Sequence, residues 1–290
     1  MSEKVTSIET FLDKLPRLSE KMTGNYYYRG QTDVDYKLLP AVLRGNLEAR
    51  EREIYNEVLT ECSSDFVEIQ SHAEILSKMQ HYGIPTRLFD ITNNPLVALY
   101  FACETNESKD GVVYYMMPDS RDGVKSFDSD TISLLSCLPR FSNKDKSNMK
   151  ELIKTIRQGK ISEKCTEAEI KEFNNDNIIK RLLHEVKKEK PAFENIIIPD
   201  DLIKKFFFLP RKNNARIIRQ GGGFVIFGLD NPFSNGINRE EFNFCHNKII
   251  IDKGCKTDII NQLSCFGISK ATLFPELYTF AEHLKEKYLR

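Results

Sequence analysis

The chain has 290 residues, 40% of them hydrophobic, and its 42 Lys and Arg balance 42 Asp and Glu. This length can bury a sizeable core in one large domain or two modest ones, and the balanced charge gives no sign of a partner held by bulk electrostatics, such as duplex nucleic acid or an anionic membrane. Seven scattered cysteines without CxxC spacing argue against a disulfide framework and a structural zinc site. With no signal peptide and no apolar run of roughly 20 residues, we expect a cytoplasmic protein with no membrane partner and no structural metal.

The first two predicted elements are a short helix and an aromatic strand. Thr6 and Glu9 have the capping-box spacing, and the apolar face that follows predicts a helix ending before Pro16. The aromatic run in residues 25–31 predicts a strand, and Arg29 lies near its end.

A long helical pattern follows. Apolar residues at helical spacing predict one helix of roughly 30 residues over 47–80, with a break near Ser63 and Ser64. His72, within this segment, is expected at the surface.

The stretch 81–102 places polar residues between two strong structural signals. Residues 86–91 have the β-branched and aromatic composition of a short strand, and Asn94 followed by Pro95 predicts the N-cap and first position of a helix. The strand-to-helix junction holds Arg87, Asp90, Thr92 and Asn93. Free helix amides at such a junction can bind an anion such as a phosphate. The alternative is structural: a capped helix whose Arg–Asp pair fixes a loop.

The second half of the chain changes character. A buried strand is predicted over 111–117, and residues 119–201 are polar, rich in Lys, Glu and Asn, and weakly helical, which indicates an inserted helical excursion with solvated charged faces. The three glycines of 221–223 do not make a dinucleotide loop, since strand-forming residues follow them. Further strands are predicted around 224–228 and 248–251.

Two helices end the predicted series, over 258–265 and from Pro275 onward. Because helices cluster early and late with strands between, we expect an α+β fold with a mixed central sheet and flanking helices.

Four separated segments resemble the FRG-domain family. They are the Tyr28–Gln31 motif followed by residues 38–40, the long run 80–102, Arg216 with Gln220 and Phe224, and residues 273–277. Ile91 stands where the family more often has Trp. The resemblance implies one FRG domain over 1–290 that contains the excursion at 119–201. It suggests a role in bacterial toxin or anti-phage systems without settling an activity.

A remoter similarity is to arginine-type mono-ADP-ribosyltransferases, which carry an aromatic-Arg-Gly strand, a Ser-Thr-Ser strand before a helix, and a late Glu strand. This chain has Tyr28–Gly30, Asp90–Thr92 before Ala98, and Gln220 ahead of Phe224. The implied fold has an ADP-ribosyltransferase-like cleft, and the implied reaction cleaves the nicotinamide–ribose bond of NAD and transfers ADP-ribose to a macromolecular acceptor.

That similarity assigns candidate roles to particular residues. The catalytic candidates are Arg29, Thr92 and Gln220; the candidates for binding NAD, the tentative substrate, are Tyr28, Arg29, Gly30, Gln31, His81, Tyr82, Arg87, Asp90, Thr92 and Asn94. Arg29 would hold a phosphate or ribose oxygen with its planar fork. Gln220 stands where the transferases have Glu, so it can form a hydrogen bond but cannot act as a base.

Three functions therefore remain open. The first is an NAD-dependent ADP-ribosyltransferase or glycohydrolase. The second is a nucleotide-binding or sensing module without turnover, which the lack of a carboxylate beside Gln220 would favour. The third is a structural or protein-interaction domain, favoured if no concave pocket joins Arg29 to Thr92.

Overall fold

The computed structural model describes residues 4–16, 26–105, 108–118, 123–158, 164–229 and 245–276, the last range without the side chains of Cys245 and His246. The strands are β1 (Tyr27–Gln31), β2 (Leu88–Thr92), β3 (Gly111–Met117), β4 (Val124–Ser126), β5 (Lys205–Leu209), β6 (Gly222–Phe227) and β7 (Cys245–Ile251). The helices are α1 (Ile8–Asp13), α2 (Glu51–Glu61), α3 (Ser63–Phe66), α4 (His72–His81), α5 (Pro95–Cys103), α6 (Asp130–Ser136), α7 (Asn143–Arg157), α8 (Glu167–Asn175), α9 (Asn177–Glu189), α10 (Ala215–Gln220), α11 (Lys256–Cys265) and α12 (Lys270–Leu273).

The strands form one mixed sheet in the order β4-β5-β6-β2-β1-β3-β7. β4 and β5 run parallel, and every other neighbouring pair of described strands is antiparallel. Helices flank this sheet, so the predicted α+β class is confirmed.

Side chains alternate between the two faces of the sheet, as the period of a strand requires. Along β3, Val113 packs with α5 and α11, whereas Val112 and Tyr114 pack against the segment 38–43 on the other face. At the β5–β6 end, Phe224 and neighbouring residues pack instead against a large helical cluster built by α4 and α6–α9.

Several local predictions agree with the structure. Asn94 caps α5 by accepting a hydrogen bond from the amide of Leu96, and Pro95 occupies the first helical position. The strands predicted near 25–31, 86–91 and 111–117 appear as β1, β2 and β3. In each case the signal is local, a cap or an apolar run bounded by turn residues.

Other local predictions were wrong in whole or in part. The opening helix is capped by Ser7 and Thr10, whose side chains and amides form the capping box, rather than by Thr6 and Glu9. The segment 47–80 has the break expected near Ser63 and Ser64, between α2 and α3, but it also begins with a 3₁₀ turn and is interrupted again between α3 and α4. His72 is buried, and its ring Nδ1 lies 2.9 Å from the hydroxyl of Tyr55, which belongs to the large core cluster.

The polar segment 119–201 contributes more to the fold than its composition suggests. It holds α6–α9, whose apolar residues belong to the large core cluster, and its strand β4 pairs with β5. Its role as an excursion inserted within one domain over 1–290 stays a prediction.

The glycine run also has a defined structure. Gly221 has φ +54° and ends α10 in the left-handed conformation, and β6 begins at Gly222. The predicted terminal helix from Pro275 lies almost entirely outside the described residues.

The described residues contain neither a membrane-spanning helix nor a metal-ligating cluster. None of their helices has both the length and the apolar character needed to cross a membrane. Nor do they contain a group of three or more His, Cys, Asp or Glu side chains arranged to hold a metal ion.

Candidate functional site

A cavity of about 320 Å³ lies where β1 and β2 meet. Within the described residues these strands are in register at the single pair Tyr28 and Thr92, whereas β2 and β6 are in register along five pairs. The sheet therefore opens between β1 and β2. The lining consists of Tyr28, Arg29, Gly30, Gln31, Thr32, Tyr36, Arg44, Gln80, Asp90, Ile91, Thr92, Phe101, Arg216 and Gln220.

Arg29 spans the opening between the two strands. Its Nη1 donates to the carboxylate Oδ2 and to the backbone carbonyl of Asp90, each at 3.1 Å, and its guanidinium carbon lies 4.6 Å from the centroid of the Phe89 ring. Arg29 and Asp90 therefore form an ion pair, whereas an Arg–Asp pair within the described stretch 81–102 does not form, because Arg87 binds Glu51. The Arg29–Asp90 pair is half open to solvent, since the Asp90 side chain is 47% exposed.

Asp90 is also held from the other side. Gln80 Nε2 donates to its Oδ2 at 2.7 Å, and the hydroxyl of Thr86 donates to Gln80 Oε1 at 2.7 Å. Two donors thus fix the carboxylate at the cavity wall.

Thr92 and Gln220, which both line the cavity, are in contact with each other. The Thr92 hydroxyl donates to the backbone carbonyl of Gln220 at 2.6 Å and accepts from the amide of Asn94 at 3.0 Å. The Gln220 side chain donates from Nε2 to the carbonyl of Leu273 at 3.1 Å. These contacts fasten the end of α10 to β2 and α12.

Arg216 enters the cavity from α10, one helical turn before Gln220. Its Nη1 donates to the carbonyl of His81 at 2.8 Å, and its guanidinium carbon lies 4.5 Å from the centroid of the Phe274 ring. Burial, followed by the charge of Arg216, lowers the pKa of His81.

A third guanidinium belongs to Arg44, which donates from Nε and Nη2 to the carbonyl of Leu39. Partial desolvation of the group, followed by the nearby charge of Arg29, lowers the pKa of Arg44. The described lining thus carries three guanidinium groups against the one carboxylate of Asp90.

Three polar atoms of this lining are buried without a hydrogen-bond partner: Nε of Arg29, Nε of Arg216 and Oε1 of Gln31. Gln31 is 5% exposed, and its amide nitrogen donates to the carbonyl of Lys37 at 3.4 Å. A buried polar group that makes no hydrogen bond costs roughly 1 to 3 kcal/mol. The side chains of Arg29, Arg216 and Gln31 therefore keep two donors and one acceptor that no described residue uses.

Gly30 is required by packing rather than by ligand access. A Cβ at this position would lie 1.9 Å from the carbonyl oxygen of Ala98, so α5 can approach β1 only because residue 30 has no side chain. This contact places α5 and Phe101 beside the cavity.

The structure places four predicted site residues elsewhere. His81 and Tyr82 line a different cavity, of about 320 Å³, between α4 and the segment before α10, and Tyr82 is 71% exposed. Asn94 serves as the cap of α5 and is not among the lining residues.

Arg87 is the clearest correction among the predicted binding residues. It is 1% exposed; its Nε donates to Glu51 at 2.8 Å and its Nη1 to the carbonyl of Phe227 at 2.7 Å. Lys146 of α7 binds the same Glu51 carboxylate. Arg87 is therefore held in a buried ion network and is not among the residues that line the cavity.

The other predicted site residues do line the cavity: Tyr28, Arg29, Gly30, Gln31, Asp90, Thr92 and Gln220. Their roles in binding or catalysis stay predictions. Sequence reasoning missed Arg44 and gave Arg216 no role. The i, i+4 spacing of Arg216 and Gln220 on one helix was a signal that could have linked them, whereas Arg44 carried no local signal.

Most of the cavity wall comes from one continuous part of the chain, which includes β1, Arg44, Gln80 and β2. Residues 24–111 match the family model of the FRG domain. The FRG segment thus supplies every described lining residue except Arg216 and Gln220, which α10 adds from outside it. Neither a curated protein nor a solved structure matches the chain significantly.

Proposed function

We propose that the cavity between β1 and β2 binds a phosphate-bearing nucleotide, with NAD or ADP-ribose as the candidate ligand. The single observation that carries the proposal is the pair of buried guanidinium Nε atoms, of Arg29 and Arg216, that have no hydrogen-bond partner in a cavity with three cationic groups and one carboxylate. Guanidinium groups bind phosphate oxygens through paired N–H donors, so a phosphate would satisfy both atoms.

The remaining lining suits the other parts of a nucleotide. Gln31 Oε1 is a buried acceptor without a donor, so it can receive a hydrogen bond from a hydroxyl or an amino group. The rings of Tyr28, Tyr36 and Phe101 offer apolar surface to a base. A volume of about 320 Å³ lies at the lower end of the range for ligand pockets and accommodates one nucleotide-sized portion.

Binding without turnover is better supported than catalysis. Gln220 donates its amide to Leu273, and the described lining has no carboxylate other than Asp90, which Arg29 and Gln80 already engage. A protein-interaction domain is less favoured, because one cavity joins Arg29 to Thr92.

Calorimetric titration tests the proposal with three ligands: ADP-ribose, NAD and adenosine, which has no phosphate. We expect ADP-ribose or NAD to bind at least about tenfold more tightly than adenosine, since a charge-assisted contact contributes roughly 1.5 to 3 kcal/mol. Absence of binding, or equal binding of all three ligands, would refute the proposal.

The second candidate function is an NAD-dependent ADP-ribosyltransferase acting on a macromolecular acceptor, in a toxin or anti-phage system. It is supported by the lining of one cavity by Arg29, Thr92 and Gln220, the residues that the transferase pattern selects. The test is incubation of the protein with NAD and cell extract, following free nicotinamide and the mass of proteins and nucleic acids. Binding of NAD without release of nicotinamide would leave a sensing module without turnover as the remaining candidate function.

A further inference from the structure

A second basic cavity, with a volume of about 650 Å³, lies between α2 and α9 and shares no described lining residue with the cavity between β1 and β2. Its wall on α9 consists of Asn177, Lys180, Arg181, His184 and Glu185, which recur at the spacing of one helix face. Facing them are Arg52 and Asn56, one turn apart on α2, with Arg140 and Phe141 completing the cavity.

The charge of this cavity is strongly biased. Four permanent cations, those of Arg52, Arg140, Lys180 and Arg181, line it against the single carboxylate of Glu185, although the whole chain has no net charge. Like charges gathered on facing helices repel one another, and a bound anion relieves that repulsion.

Two of the four cations are already paired. Arg140 Nε lies 2.6 Å from Glu185, and Arg181 Nη1 lies 2.9 Å from Asp145, which is outside the lining. Within the described part of the chain, no ion pair or hydrogen bond engages the side chains of Arg52 and Lys180. These two groups, from opposite walls, remain available to an anion.

We propose that this cavity binds a compact small molecule with adjacent phosphate groups. A cavity bounded by two helices concentrates the cations around one volume instead of spreading them along a track, as binding of a nucleic acid strand requires. The phenyl ring of Phe141 is also inaccessible to a base, because Phe141 is 2% exposed and Arg181 lies over it at 5.6 Å.

The test uses sodium tripolyphosphate as the probe, titrated calorimetrically into the wild-type protein and into three variants. Arg52→Gln/Lys180→Gln removes the two available cations. Lys154→Gln/Lys171→Gln is the matched control, because it removes the same charge from exposed positions outside the lining. Arg216→Gln alters the cavity between β1 and β2 alone. Thermal unfolding checks that each variant folds.

We expect the wild type to bind the probe, the Arg52/Lys180 variant to bind about tenfold more weakly, and the lysine control to bind as the wild type does. Arg216→Gln, which affects only binding at the proposed nucleotide cavity, should retain binding at this one. No binding by the wild type, equal weakening in the lysine control, or weakening by Arg216→Gln alone would overturn the proposal. The proposal would also be overturned if a single-stranded oligothymidylate of about 12 nucleotides bound more tightly than the probe and its binding depended on Arg52 and Lys180.

Discussion

Among the described residues, the guanidinium of Arg29 forms hydrogen bonds through Nη1 but not through Nε. Nη1 binds Asp90, whereas the buried Nε has no partner. The similarity to the transferases assigned Arg29 to a phosphate or ribose oxygen of NAD. The structure gives Arg29 a partially exposed ion pair and an unsatisfied donor, and this arrangement is compatible with that role.

Truncation of Arg29 separates binding from stability. Arg29→Ala should weaken ADP-ribose binding by about ten- to a hundredfold, because a charge-assisted hydrogen bond is lost. It should lower the free energy of unfolding by about 1 kcal/mol or less, since the Asp90 side chain is 47% exposed and keeps the hydrogen bond from Gln80. Arg29→Lys should restore only part of the binding, because it lacks the planar fork. Calorimetry and chemical denaturation measure the two effects, and a loss of several kcal/mol in stability would favour a purely structural Arg29.

His72 gives the protein a defined response to acid. Burial lowers the pKa of His72 from its ordinary value of 6.5, so below about pH 6.5 the unfolded state takes up a proton before the folded state does. The stabilisation from the neutral ring is complete above that pH and is lost as the pH falls through the folded-state pKa.

The unfolding free energy should therefore fall between pH 7.5 and 5.5 in urea denaturation, and fall less in His72→Gln. His184→Gln is the control, because His184 is exposed and its removal should leave the fall unchanged. An identical fall in the His72 variant and the wild type would contradict this assignment.

At the scale of elements, the packing of α5 on β1 shapes the cavity wall. The helix start at Asn94 and Pro95 could be predicted because its signals are local. The closeness of helix and strand could not, because it depends on a contact between Gly30 and Ala98, which are far apart in sequence. In the 47–80 segment, the predicted break near Ser63 and Ser64 is present, whereas the second interruption, between α3 and α4, was not predicted.

Gly30→Ala should lower the free energy of unfolding by about 1 to 3 kcal/mol or more, because its Cβ would overlap the backbone oxygen of Ala98. Gly222→Ala in β6 is the matched control. The nearest atom to its Cβ would be 3.6 Å away, an ordinary contact, so we expect a change within about 0.5 kcal/mol. Equal effects of the two substitutions in urea denaturation would show that close packing at Gly30 is not the determining factor.

At the scale of the whole molecule, one buried ion network joins residues 24–111, which match the FRG family model, to the helical segment 119–201. Glu51 of α2 binds Arg87, which precedes β2, and Lys146 of α7. The sequence placed Arg87 at a binding site because it stands beside Asp90 and Thr92. Its true partners are 36 and more residues away, a distance that local patterns do not report.

Glu51→Gln should destabilise the protein by about 3 to 5 kcal/mol, because it leaves two buried cations without their carboxylate. Glu53→Gln on the same helix is the control. Its carboxylate is 60% exposed and pairs with an exposed Arg50, so we expect a loss below about 1 kcal/mol. Denaturant unfolding compares them, and a small loss for Glu51→Gln would show that the network does not join the two segments energetically.

The most direct test of nucleotide binding compares two arginines of α10. Arg216 lines the cavity and has an unpartnered buried Nε, whereas Arg219, three residues later, is exposed and outside the lining. In calorimetric titration with ADP-ribose, Arg216→Ala should weaken binding by about ten- to a hundredfold, and Arg219→Ala should change it by less than about twofold. If the wild type does not bind ADP-ribose, or if both folded variants bind equally, the cavity is not the nucleotide site.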